Sequence, residues 1–154
     1  MDRAMEYTGI SERATILRMA CRRVSSIPNS RTMIIIDTST WVDHFRGIDT
    51  LLDSPPVQSV RRLLHPFVYG ELLLSGLPKH SAVRAVLADL QMAPVADSSE
   101  VAAFIEWAGL AGTGVGYVDA HLLVSARMLE NGCLLTQYQN LLAQAQRLDI
   151  AYQP

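Results

Sequence analysis

The sequence has few cysteines, no long apolar run and no strongly basic balance. Its two cysteines, Cys21 and Cys133, form neither a disulfide framework nor a metal-binding cluster, which favours a reducing cytoplasm. No apolar run approaches the ~20 residues that cross a bilayer. The charged N-terminal segment does not resemble a secretory signal either. We therefore expect a cytoplasmic protein that does not insert into a membrane.

Composition and charge indicate one compact domain with an acidic body. Of the 154 residues, 49% are hydrophobic and 18% are charged, which is typical of a globular chain. Residues 1–32 carry six arginines against three acids (+3), whereas residues 33–154 carry seven basic residues against twelve acids (−5). Such a body is not a general phosphate-binding surface. If it acts on nucleic acid, local arginines and a bound metal must supply the attraction.

The stretch from Met33 to Trp41 is the one around which the chain is organised. Its apolar run is too short for a helix and does not alternate, so it predicts a strand covered on both faces. Asp37 ends that strand and is followed by three hydroxyl residues. In open α/β sheets, ligands bind beyond the carboxyl ends of the strands. Asp37 is therefore the first candidate for a functional site.

The rest of the chain alternates between strand and helix patterns. Further strands are predicted at 92–95, 133–136 and 150–152, and residues 57–64 are left open between a short strand and a turn. A turn is predicted at 53–56, and helices are predicted at 66–75, 81–90, 97–110, 121–130 and 140–148. This alternation predicts an α/β fold with a central parallel sheet flanked by helices.

Residues 1–32 fit this pattern poorly and are interpreted as an N-terminal extension. A helix is predicted over residues 12–24 and a linker over 25–30. One interpretation is an appended or mis-started segment, because Met33 directly precedes the first strand. The other is a basic helical arm that contacts RNA or a partner. The domain itself is predicted to span residues 33–154.

Three acids lie where elements begin or end: Asp37, Glu71 and Asp119. A carboxylate in an apolar setting is costly unless it is paired or binds a cation. Gathered at one edge of a sheet, the three would form an oxygen-ligand site suited to Mg²⁺ or Mn²⁺. Ordinary alternatives exist for each: a turn for Asp37, a surface charge for Glu71 and a helix N-cap for Asp119.

Three motifs resemble one family in the same order and at similar intervals. They are the strand with Asp37 and its hydroxyl residues, the segment HPFVYGEL at 65–72, and the segment GVGYVDAHLL at 114–123. Together they resemble the PIN-domain ribonuclease toxins of VapC type over residues 33–152. The resemblance implies a PIN fold and catalytic, metal-binding roles for Asp37, Glu71 and Asp119. It also implies Mg²⁺-dependent cleavage of RNA, a homodimer and a cognate antitoxin.

One position departs from the family pattern. The family usually carries a further acid two residues after the Thr or Ser that ends its next strand, but here Tyr138 follows Thr136 at that distance. Tyrosine is neutral near pH 7 and a poor Mg²⁺ ligand. Catalysis then persists with weaker metal binding, or the chain is an inactive binder of RNA or antitoxin.

A third reading is a phosphatase of haloacid-dehalogenase type, because the strand that runs into Asp37 is similar to its nucleophile loop. That chemistry usually needs a second acid two residues later, where this sequence has Ser39. The hydroxyls of Thr38, Ser39 and Thr136 are instead expected to hydrogen-bond the carboxylates or a water molecule.

Overall fold

A four-stranded parallel sheet forms the centre of the structure, a computed structural model that describes residues 32–77 and 81–154. The strands are β1 (Met33–Ile36), β2 (Arg61–Leu64), β3 (Gln91–Met92) and β4 (Gly132–Leu135), in the order β3-β2-β1-β4. The helix predicted over residues 12–24 lies outside the described residues, so the domain division at residue 33 stays a prediction.

Strand β1 lies inside the sheet and pairs on both sides. Ile34, Ile35 and Ile36 are fully buried, as expected for a strand covered by helices on both faces. Ile36 pairs with Leu135 at the end of β4. Because these two parallel strands end together, the residues that follow them, Asp37 and Thr136, come side by side.

Seven helices surround the sheet in the described part of the chain. They are α1 (Thr38–Phe45), α2 (Pro55–Gln58), α3 (Pro66–Leu74), α4 (Ala82–Ala88), α5 (Ser98–Ala108), α6 (Tyr117–Met128) and α7 (Gln139–Arg147). A short 3₁₀ helix covers Leu51–Asp53. The α/β, PIN-like fold class is confirmed. Within residues 32–77 and 81–154, no helix has the length and apolar character to cross a membrane.

Several local predictions were wrong in detail, among them the strand expected at 92–95, which covers only Gln91–Met92. Helix α6 begins at Tyr117 rather than at residue 121, because the Asp119 carboxylate accepts the backbone N–H of Gly116 and closes the first turn. The turn expected at 53–56 instead leads into α2, whose first positions are prolines. The last strand, expected at 150–152, is only one bridge, from Ala151 to Leu134.

Candidate active site

Asp37 is a buried carboxylate held by three hydrogen-bond donors. It caps the N-terminus of α1, where Oδ1 accepts the backbone N–H of Thr40 at 3.0 Å. Oδ2 accepts the hydroxyls of Ser39 at 2.7 Å and Thr136 at 2.9 Å. With only 4% of its surface exposed, this side chain depends on those donors to offset its desolvation. The hydroxyl contacts predicted for Ser39 and Thr136 are confirmed.

Glu71 is brought to Asp37 by the packing of α3 against α1. Its Oε2 accepts the hydroxyl of Thr38, the residue after Asp37. Helix α3 starts at Pro66, and the imidazole of His65 caps it by accepting the backbone N–H of Phe67 at 3.1 Å. Glu71 therefore lies half-buried beside the start of α1 and is not the isolated surface charge of the alternative reading.

Asp119 lies in the first turn of α6, and its burial and the charges of Asp37 and Glu71 act on its pKa. Its Oδ2 accepts the Gly116 N–H at 3.0 Å. Burial raises the pKa of Asp119, and the negative charges of Asp37 and Glu71 raise it further, whereas the Gly116 hydrogen bond acts in the opposite direction. Gly116 and not Asp119 occupies the N-cap position, but Asp119 still caps the helix from its third position, so a structural role at the helix start is observed.

The charges of Asp37 and Glu71 thus act on Asp119, but the three acids do not form a closed set of ligands. Among residues 32–77 and 81–154, no group of three or more His, Cys, Asp or Glu side chains is placed to hold a metal ion. The chemistry of the donors still fits a hard divalent cation, because all three offer carboxylate oxygens and the charges of Asp37 and Glu71 raise the pKa of Asp119 beyond the larger effect of its burial.

Tyr138 stabilises the glycine-rich loop that precedes Asp119. Its hydroxyl donates to the carbonyl of Gly114 at 3.0 Å and accepts the side-chain N–H of Asn140 at 3.1 Å. Gly114 has φ +80°, and a Cβ there would collide with the Asn140 amide. Sequence reasoning missed this role, because nothing in the spacing indicates that Tyr138 reaches back across 24 residues.

His65 is a buried group that supports the site through α3. Because its Nδ1 accepts the Phe67 N–H, its Nε2 carries the proton and donates to the Ser125 hydroxyl at 3.0 Å. Burial lowers the pKa of His65 to about 4, and the neighbouring His121 lowers it too. The signal was present in the sequence, since a polar residue before a proline at the first helical position is a candidate N-cap.

A comparison with known proteins identifies the family. Over 111 residues the chain is 34% identical to Ribonuclease VapC32 of Mycobacterium tuberculosis, found in two strains. The match covers 72% of this chain and 89% of that relative. The chain belongs to the VapC family. No family model and no solved structure matches it.

The position of Tyr138 is the one at which this chain differs from the pattern expected of the VapC family. Where the family resemblance leads one to expect a fourth acid, this VapC chain has a phenol that bonds to the glycine-rich loop. The position of Tyr138 therefore adds no carboxylate to this edge of the sheet, where Gln137 bonds to the carboxylate of Asp49.

Proposed function

We propose that this VapC chain is an endoribonuclease toxin that hydrolyses RNA phosphodiester bonds with Mg²⁺ or Mn²⁺ bound by Asp37, Glu71 and Asp119. The proposal is supported by the nearness of the three acids: Glu71 bonds to Thr38, the residue after Asp37, and the pKa of Asp119 is raised first by burial and then by the charges of Asp37 and Glu71. Carboxylates that repel one another are a site that a divalent cation stabilises. When bound, the cation activates water and stabilises charge that develops on the phosphoryl oxygen.

The contribution of the polypeptide is to keep the carboxylates in place. Ser39 and Thr136 orient Asp37, and Thr38 orients Glu71. Side chains held in this way before the substrate arrives lose little freedom when it binds, which lowers the barrier of the reaction.

The proposal also includes the partners of a toxin. We expect a homodimer in the cytoplasm that a cognate antitoxin protein neutralises. Sedimentation analysis of the purified chain, alone and with that antitoxin, measures both associations. A sharp monomer peak at all concentrations would rule out the homodimer.

The test of the activity is cleavage of RNA by the purified full chain with Mg²⁺ and with EDTA. Asp37→Asn and Asp119→Asn are expected to lower the rate by roughly 100-fold or more, because each removes a charged ligand. Asp89→Asn is the matched control, since Asp89 is exposed at the end of α4. Equal cleavage in EDTA, or full activity of both site variants, would refute the proposal.

A second candidate is a protein that binds RNA or antitoxin without cleaving. Tyr138 at the position of the expected acid favours it, as does the lack of a closed metal-ligand group in the described residues. RNA binding without any Mg²⁺-dependent cleavage would select it. The phosphatase reading is not favoured, because Ser39 donates its hydroxyl to Asp37 and supplies no second acid.

A further inference from the structure

Two exposed aromatic rings lie on the helices that carry two of the three acids. Phe67 and Tyr117 both contact the ring of His121, with centroids 4.5 Å and 4.8 Å from it and interplanar angles of 62° and 87°. These are the edge-to-face contacts that aromatic pairs prefer. We call Phe67, Tyr117 and His121 the aromatic cluster. His121 is buried, whereas Phe67 is 37% and Tyr117 53% exposed, so the cluster presents two fixed rings to solvent.

The position of the aromatic cluster ties it to the candidate active site. Tyr117 opens α6, the helix of Asp119, but at two residues' distance the two side chains lie on different sides of that helix. Phe67 lies in α3 four residues before Glu71, and residues at this spacing are neighbours on the same side of a helix. The helices that carry two of the acids therefore also carry the two exposed rings.

The cluster also contains a buried polar atom, Nδ1 of His121, that lacks a hydrogen-bond partner among the described residues. This is unfavourable for a polar atom removed from water. Because this nitrogen is buried, a ligand at the surface meets the two partly exposed rings rather than Nδ1, and two such rings fit a flat ligand. A nucleobase has this character, since it offers a π face for stacking.

The charge of the chain supplies a reason for such a site. Residues 33–154 carry seven basic residues against twelve acids, so contacts between phosphates and cationic side chains give little affinity for RNA. Stacking of bases on aromatic side chains needs no positive surface and tolerates every base.

We propose that Phe67 and Tyr117 form a stacking site for an unpaired base of a single-stranded RNA, next to the phosphate on which the three acids act. The identity of the ligand rests on the proposed ribonuclease function. The two residues bind substrate and take no part in bond cleavage.

The test measures binding of a short fluorescein-labelled oligoadenylate by anisotropy. The full chain carries Asp37→Asn, so that the RNA stays uncut. Added Tyr117→Leu is expected to weaken the Kd roughly 5- to 150-fold, which is the effect of losing one stacked base. Tyr117→Trp restores binding, and the pair Phe67→Leu and Phe67→Tyr follows the same pattern. An oligomer of the same length without bases is expected to bind all variants equally weakly.

The matched control is Trp107→Leu. Trp107 is 44% exposed, similar to the two cluster rings, but it packs on Arg127, two turns of α6 beyond Asp119. Its loss is expected to leave the Kd for oligoadenylate unchanged. Thermal unfolding of each variant shows that it is folded.

The outcomes separate this proposal from the proposed function. Leu variants that bind oligoadenylate like their parent, while wild-type protein cleaves RNA, would overturn the stacking site alone. Loss of binding in the Leu variants, while wild-type protein cleaves no RNA, would support the stacking site and refute the nuclease. If the Leu variants change only the sedimentation of the protein, the cluster is a protein interface and the proposal is wrong.

Discussion

At the scale of single residues, Thr136 joins the sheet to the carboxylate of Asp37. Its hydroxyl donates to Asp37 Oδ2 at 2.9 Å and accepts the backbone N–H of Tyr138 at 3.1 Å. One side chain thereby fixes the acid after β1 and the start of the segment after β4. A buried charged group that loses such a donor keeps its full desolvation cost.

Replacing Thr136 by valine tests this contact, since the shape is kept and the donor is lost. We expect Thr136→Val to lower the free energy of unfolding by about 1–3 kcal/mol, measured by denaturant titration. Thr136→Ser keeps the hydroxyl and is the control, with a smaller loss. A valine variant as stable as wild type would show that Asp37 does not depend on this donor.

Some residues of the candidate site could be predicted from the sequence and others could not. Asp37 and Asp119 stand out in the sequence because they mark the end of a strand and the start of a helix, and Ser39 and Thr136 because hydroxyls follow strand ends. Glu71 lies inside α3 and is singled out by the resemblance to the family. The bond from Tyr138 to Gly114 is not readable, since it depends on the path of a glycine-rich loop in space.

At the scale of elements, the start of α3 depends on the protonation of His65. The cap requires an unprotonated Nδ1, and burial lowers the pKa of His65 to about 4, below the ordinary value of 6.5. Between these values the unfolded chain binds a proton that the folded chain does not. Stability therefore rises with pH across this window and falls as pH drops from 6.5 towards 4.

The variant His65→Asn removes this titration and retains an acceptor for the Phe67 N–H. We expect wild type to lose stability relative to His65→Asn as pH falls from about 7 to about 4.5. Denaturant unfolding at several pH values measures the difference, and the same comparison in a His121→Asn background removes the contribution of the neighbouring His121. Parallel pH profiles for the two proteins would contradict the cap assignment.

Elements were predicted best where capping and apolar periodicity agree. The capping box of Asp97 and Glu100 fixes the start of α5 at the expected place. Strand β2 was left open because Arg61 and Arg62 lie in its exposed first half, and only pairing with β1 reveals it. Local propensity does not contain that information.

At the scale of the whole molecule, the described core is complete from β1 onwards. Its buried side chains run from Ile34 to Tyr152. Two described residues before this range also contact the domain: Met33 donates its backbone N–H to the carbonyl of Asn131 at 3.2 Å, and the carbonyl of the buried Thr32 accepts the backbone N–H of Arg61 at 3.1 Å. The domain predicted to start at residue 33 therefore omits the contacts of Thr32, among them its hydrogen bond to the sheet.

Two shortened chains test the domain boundary. We expect residues 33–154 and residues 32–154 both to fold, with the longer one more stable by about 1 kcal/mol owing to the Thr32 carbonyl. Thermal unfolding followed by circular dichroism measures both. Failure of the longer chain to fold would show that residues 1–31 belong to the domain.

The proposed ribonuclease activity requires a divalent cation bound by Asp37, Glu71 and Asp119, where the charges of the first two act on the third. Calorimetric titration of the full chain with Mn²⁺ or Mg²⁺ measures this directly. The account predicts uptake by wild type and Asp89→Asn, and none by Asp37→Asn or Asp119→Asn. No uptake by wild type, or equal uptake by all four proteins, would contradict it.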